Sequence, residues 1–177
     1  MSELVVFALP VGGGILAMSS LPGRGGDYKG DLETLHQWQP GLVLTMTTDA
    51  EMAEVGAQML GNDIQSMASR WIHLAVLDYG TPSEEMMAKW PEVSKTVRTM
   101  LHGGGRVVVH CRGGCGRSGM VALRLMVECG EDRFSALTRL RGVRDCAVET
   151  KGQLHWAFAV EEAAATPVFT RHRSTEK

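Results

Sequence analysis

Cys111 and Arg117 enclose the turn Arg112-Gly113-Gly114-Cys115-Gly116, and Ser118 follows directly. A sulfur and a guanidinium at the two ends of a glycine-rich turn make a phosphate cradle. The three glycines allow tight winding, so that successive backbone N–H groups converge on one point. Arg106-Val107-Val108-Val109 before the turn reads as a short buried strand, and Met120 to Cys129 after it as a helix without a polar stripe. In the order strand, loop, helix, the helix N-terminus adds positive potential at the same point, and a dianion is held without a metal or other cofactor. A thiol at Cys111, beside that N-terminus and a guanidinium, is favoured as its nucleophilic thiolate. Arg117 is suited to hold two phosphate oxygens at once, which an ammonium does poorly. Ser118 is placed to donate a hydrogen bond to the Cys111 sulfur. His110 reads as a buried residue that orients the loop backbone.

Splitting a phosphomonoester by attack of a sulfur leaves an alkoxide or phenolate, which an acid must protonate; such a group contributes about 10²–10⁴-fold. Trp71 to Val76 reads as a strand running into Leu77-Asp78-Tyr79-Gly80-Thr81-Pro82-Ser83, which puts Asp78 at a strand end. Taken alone, Asp78 is an ordinary loop carboxylate; beside the cradle it becomes the candidate acid.

The run His110-Cys111 to Arg117-Ser118 resembles the H-C-x5-R-[S/T] motif of the cysteine-dependent dual-specificity and protein-tyrosine phosphatases. Sulfurtransferases and arsenate reductases also use a cysteine-to-arginine loop. The segment around Asp78 is similar to the general-acid loop of dual-specificity phosphatases. Its Leu77 to Pro82 stretch most resembles the kinase-associated phosphatase group, which acts on a cyclin-dependent kinase. Ser20-Leu21-Pro22-Gly23 and Ala147 to Gln153 extend the resemblance over roughly residues 14 to 160. It implies a site for Gln153 near the hydrolytic water, while Thr150 and Gln153 are equally spaced as a helix capping box. Arg112 stands where that group usually has an aromatic residue, and Cys115 where an apolar one is usual. The resemblance implies substrate-binding roles for Arg112, Gly113, Gly114, Cys115 and Gly116.

The 177 residues, 44% hydrophobic and 21% charged, suit one domain with a single core. We expect that domain over residues 1–165, with a tail over 166–177. Net charge of −2 gives no general attraction to nucleic acid or an anionic membrane. No stretch is long enough to insert in a bilayer. Cys111, Cys115, Cys129 and Cys146 are not spaced like a secreted disulfide framework, which with a thiolate chemistry points to the cytoplasm. Cys111 and Cys115 lack the second ligand pair of a zinc site. Cys115 could instead capture an oxidised Cys111 as a disulfide, or simply fill space, with Cys129 and Cys146 as other partners.

The spacing predicts strands over Leu4–Leu9, Ile15–Ser19 and Leu42–Met46, and a helix capped by Asp31. It also predicts capping boxes at Thr48 with Glu51 and at Thr81 with Glu84, and a last helix ending near Ala165 before Pro167. Met86, Trp90, Val93 and Val97 repeat as a core stripe. Arg133, Arg139, Arg141 and Arg144 read as a solvated helix face. Alternating elements imply an α/β fold, a central and mainly parallel sheet flanked by helices, with its site at the carboxyl end of the strand that closes on His110.

The expected activity is a phosphoprotein phosphatase, acting on phosphotyrosine with phosphoserine and phosphothreonine as further targets, through a cysteinyl-phosphate. Two alternatives stand beside it. One is a phosphoinositide or nucleotide phosphatase with the same chemistry, for which the Arg112 charge speaks; the other is a phosphate-binding module without turnover.

Overall fold

A computed structural model describes residues 3–160. Its elements run β1 (Phe7–Val11), β2 (Gly14–Ser19), α1 (Tyr28–Trp38), β3 (Leu42–Thr45), α2 (Asp49–Glu54), α3 (Leu60–Ser66) and β4 (Arg70–His73), followed by α4 (Glu84–His102), β5 (Arg106–His110), α5 (Gly116–Glu128), α6 (Arg133–Val143) and α7 (Lys151–Phe158). The sheet order is β1-β2-β5-β3-β4. All neighbours are parallel except the β1–β2 hairpin. The α/β class is therefore as expected, and the antiparallel strand lies at the edge, where Pro10 costs no interior ladder bond.

Helices cover both faces because the central strands are apolar on both. Leu16, Met18, Leu42, Leu44, Val107 and Val109 pack towards α4 and α5, whereas the intervening Ala17, Val43 and Val108 join Leu35, Met52, Leu60 and Ile64 on the other side. Period two sends successive residues to opposite faces, and each fully buried Leu, Val or Met side chain stabilises by about 1.5–3 kcal/mol. Central parallel strands of this kind read as unbroken apolar runs. Ten of the thirteen residues of α5 are buried, which is why that helix shows no polar stripe.

Several local expectations are corrected. Asp27, not Asp31, caps α1, accepting from the Gly30 N–H. Asp31 is buried, and its two oxygens accept the N–H groups of Leu4 and Gly23 at 3.1 and 2.8 Å. Ser83 caps α4 through the Met86 N–H, in place of Thr81 with Glu84. The first strand begins at Phe7 rather than Leu4. Strand β4 stops at His73, so Asp78 lies in the following loop and not at a strand end. The short α3 was not anticipated. Helix α7 ends at Phe158, short of Ala165, because Arg124 Nη1 takes the Trp156 and Ala159 carbonyls at 2.7 and 2.9 Å. The expected tail over 166–177 lies outside the described residues. Among those residues no helix is long and apolar enough to cross a membrane.

The arginines expected on a solvated face are mostly engaged. Arg139 bonds Glu131 and the Pro10 carbonyl, and Arg141 bonds the carbonyls of Ala147 and Val148. Arg144 reaches the phosphate loop itself.

Candidate active site

Strand β5 is central, flanked by β2 and β3, with Ser19, Thr45 and His110 level at their carboxyl ends. The chain leaves that edge into the loop 111–115 and turns directly into α5. Three neighbours fix the loop's path. Gly114 takes φ +69°, and a Cβ there would lie 2.7 Å from the Ser19 carbonyl oxygen, so only glycine fits the turn against β2. Leu21 donates its N–H to the Arg112 carbonyl at 3.2 Å. Arg144 donates to the Gly113 and Gly114 carbonyls, both at 3.1 Å. The N–H groups of residues 112–116 have no acceptor among the described residues, which leaves them for an anion. No side chain caps the first turn of α5, whose N-cap is Cys115, and its amides add their dipole to the same point.

Cys111 lies at that point, its sulfur 3.3 Å from the Ser118 hydroxyl as the motif requires. His110 supports the loop from the strand end. Trp71 donates its indole N–H to the Thr45 hydroxyl at 2.8 Å, and that hydroxyl lies 2.7 Å from His110 Nε2. Burial pushes the imidazole down to about 4, against a weaker opposite pull from the Cys111 backbone, so the ring is neutral at pH 7. This fits an orienting residue and not a proton carrier.

Arg117 is buried, and its donors can be counted. Nη1 bonds Glu51 Oε2 at 2.8 Å and the Val76 carbonyl at 2.9 Å; Nη2 bonds Glu51 Oε1 at 2.7 Å and lies 3.1 Å from Asp78 Oδ1. Of five N–H groups, three are hydrogen-bonded, the second on Nη2 meets Asp78 as an ion pair, and that on Nε has no partner among the described residues. Burial works against ionising Glu51, but hydrogen bonds from Arg117 and the Thr48 backbone, with the Arg117 charge, outweigh it and hold the carboxyl below its ordinary value. Burial likewise disfavours the Arg117 cation, yet Glu51 and the neighbouring charges hold it above its ordinary value. The capping box read at Thr48 and Glu51 is present, and the same glutamate grips the arginine.

Asp78 is half exposed on the loop after β4. Val76 ties that loop to the sheet edge by donating its N–H to the Met46 carbonyl at 3.0 Å. Beyond Asp78 the backbone turns sharply, with Tyr79 at φ 56° and the Gly80 N–H on the Leu77 carbonyl at 2.8 Å. Gln153 meets its capping reading, and it does not line the cavity. It completes the capping box with Thr150, and its side-chain amide also donates to the Gly80 carbonyl at 3.2 Å, joining α7 to the acid-bearing loop.

A cavity of about 400 Å³ opens over the loop, lined by Cys111, Arg112, Gly113, Cys115 and Gly116 from the motif and by Asp78 from across it. Arg24, Arg144 and Glu149 also line it, and none of the three was singled out from the sequence as a site residue. Gly114 turns away towards Ser19, and Gln153 is buried beneath the rim. Arg112 is paired with Glu54 at 2.8 Å, which offsets the charge it brings to the rim. Among the described residues no cluster of His, Cys, Asp or Glu could hold a metal ion.

Cys115 is not placed to capture an oxidised Cys111, because it is already bridged to Cys146 with a Cα–Cα distance of 5.2 Å. The spacing of the cysteines concealed this pairing, which joins the phosphate loop to the segment before α7. Cys129 lies beyond the far end of α5, about 20 Å away along a helix of that length. A crosslink of 31 residues' separation stabilises by roughly 3–4 kcal/mol through loop closure. Dithiothreitol is therefore expected to lower Tm by roughly 6–16 °C. Cys146→Ser should show the lowered value with or without the reductant; a wild-type Tm that dithiothreitol does not move rules the bridge out.

No curated protein matches the chain. Among solved structures, kinase associated phosphatase (KAP) with its catalytic-site cysteine replaced by serine superposes with a TM-score of 0.78 at 22% identity, over 89% of this chain and 94% of that one. Tk-PTP in its active form gives 0.66 at 24% identity, covering 85% and 92%. PTPMT1 in complex with PI(5)P gives 0.68 at 16% identity, again covering 85% and 92%. These likenesses establish the fold as that of dual-specificity phosphatases. The family model described as Swiss Army Knife protein, DSP-PTPase phosphatase domain, matches residues 14–170, and with most of its length so covered this chain belongs to that phosphatase family.

Proposed function

We propose that the protein is a phosphoprotein phosphatase working through a cysteinyl-phosphate. The observation that carries this reading is the Cys111 sulfur 3.3 Å from the Ser118 hydroxyl in the uncapped first turn of α5, with Arg117 of the same turn in contact with Asp78. The Cys111 sulfur attacks phosphorus as the bond to the leaving oxygen breaks, and Asp78 gives that oxygen its proton. Water then attacks phosphorus, Asp78 takes a proton from it, and the S–P bond breaks to return the sulfur.

Arg117 explains how Asp78 changes role. A phosphate taking two parallel bonds from the Nε and Nη2 edge must displace Asp78 from Nη2, where it lies 3.1 Å away. Substrate binding thus frees Asp78 to meet the leaving oxygen. The Asp78→Ala variant should lose about 10²–10⁴-fold in kcat on alkyl phosphates and much less on p-nitrophenyl phosphate, whose leaving group needs no proton. It should also bind inorganic phosphate more tightly, since Nη2 is vacated. Equal loss on both substrates would reduce Asp78 to a loop residue. Wild-type turnover that vanadate blocks and a chelator does not is the test of the whole reading. The PTPMT1 complex with PI(5)P supports a second one, a phosphoinositide phosphatase with the same chemistry.

A further inference from the structure

Arg24, Arg112 and Arg144 line the cavity and Arg117 of the motif is buried, and three of the four are committed. Arg117 is held by Glu51 and Asp78, Arg144 by the carbonyls of the phosphate loop, and Arg112 by Glu54. Arg24 lines the cavity, is exposed, and has no carboxylate partner among the described residues. Its Nη1 lies 3.7 Å from where a Cβ on Gly113 would stand, so the guanidinium is set over the phosphate loop itself.

The loop that carries Arg24 is anchored on three sides. Leu21 is bonded to the Arg112 carbonyl, and Arg24 closes a turn back onto the Leu21 carbonyl at 3.1 Å. Gly23 donates to the buried Asp31 carboxylate at 2.8 Å. Gly23 also takes φ +91° with the Val55 carbonyl so near that a Cβ would come within 2.9 Å of it. A buried carboxylate spent on two backbone N–H groups, rather than on the helix cap it seemed to offer, fixes where this cation stands. The opposite side of the cavity is acidic: a Cβ on Gly116 would run into the Glu149 carboxylate, and Asp78 lies across from the loop. The site is therefore polar in one direction, positive over Gly113 and negative over Gly116.

We propose that Arg24 is a second anion-recognition residue, which selects phosphotyrosine peptides carrying a phosphorylated or acidic residue next to the scissile phosphate. This rests on the phosphatase reading above and names the substrate class within it. Tyr79, 64% exposed, lines the cavity and offers its ring to an aryl phosphate, with Leu77 exposed beside it. The rim mixes Arg24 and Arg112 with Glu54 and Glu149, which is not the cluster of four to eight cations that draws a protein to an anionic membrane. A peptide fits that rim better than a lipid surface.

The test compares kcat/KM for two matched phosphotyrosine peptides, one with serine and one with phosphoserine beside the phosphotyrosine, in wild type, Arg24→Ala and Arg24→Glu. Wild type should favour the doubly phosphorylated peptide by about 2–5-fold at low salt, as an exposed charge-assisted contact does. The preference should vanish in Arg24→Ala and reverse in Arg24→Glu. Equal rates on both peptides in wild type, or an undiminished preference in Arg24→Ala, overturn the subsite alone. Hydrolysis of neither peptide overturns the phosphatase reading and the subsite with it. Faster Arg24-dependent phosphate release from phosphatidylcholine vesicles containing phosphatidylinositol monophosphate than from either peptide overturns the peptide assignment.

Discussion

Cys111→Ser is expected to lower hydrolysis of p-nitrophenyl phosphate by roughly 10⁴–10⁶-fold, the scale of losing a nucleophile that works as part of a unit, while inorganic phosphate still binds. The two halves of this result come from different parts of the site. Turnover needs the sulfur, because a serine hydroxyl ionises far less readily than a thiol, Asp78 delivers a proton in that step, and His110 is turned to Thr45 with its pKa pushed down to about 4. Binding needs the loop amides, the α5 N-terminus and Arg117, none of which the substitution touches. Phosphate titration by calorimetry and a thermal melt, run beside the assay, separate lost chemistry from lost structure. Activity within tenfold of wild type would remove Cys111 from the reaction.

How much of this was legible in the sequence follows from distance along the chain. Cys111, Arg117 and Ser118 lie within one loop and one helical turn, so their spacing already determined that they would meet. Asp78 was chosen by chemical need, and it lies against Arg117 on a loop whose strand ends sooner than the apolar run suggested. Glu51, Arg144, Arg24 and Cys146 come from other segments: Glu51 read as a capping box, Arg144 as a solvated helix face and Cys146 as a partner for an oxidised Cys111, while Arg24 carried no pattern of its own. What unites them is register. Thr45 stands level with His110, which sets the start of α2 against the start of α5, and no pattern within either segment reports that alignment. One of the two misplaced helix caps has the same origin. Asp27 and Asp31 are both suitable by type, and the one drawn into long-range bonds to Leu4 and Gly23 is lost to the helix.

Glu51→Ala should cost roughly 3–5 kcal/mol of stability, because removing one partner of a buried ion pair leaves the other charge uncompensated. Arg117 is 1% exposed and keeps only the Val76 carbonyl and Asp78 once the carboxylate is gone. Activity should fall further than stability accounts for. Without Glu51 the guanidinium loses the two bonds that fix its plane, and its remaining anionic partner is Asp78, so the acid is held on the arginine just when phosphate must take that place. We expect a loss of about 10²-fold or more in kcat/KM at a temperature where the variant is still folded, the scale of misplacing a binding group by 1 Å. Glu51→Gln keeps the shape and one acceptor, and should recover most of the fold but only part of the rate. The pH dependence gives an independent measure. With its folded value lowered, the Glu51 carboxyl contributes stability that is fully present above the unfolded glutamate value of about 4.3 and is lost as pH falls through the lower folded value. Wild type should therefore lose stability over that acid window, and Glu51→Gln, which has nothing to titrate there, should lose less. Denaturant melts of both proteins at pH 7 and across the acid range measure the difference, and parallel acid profiles would mean that Glu51 does not carry the charge that holds Arg117.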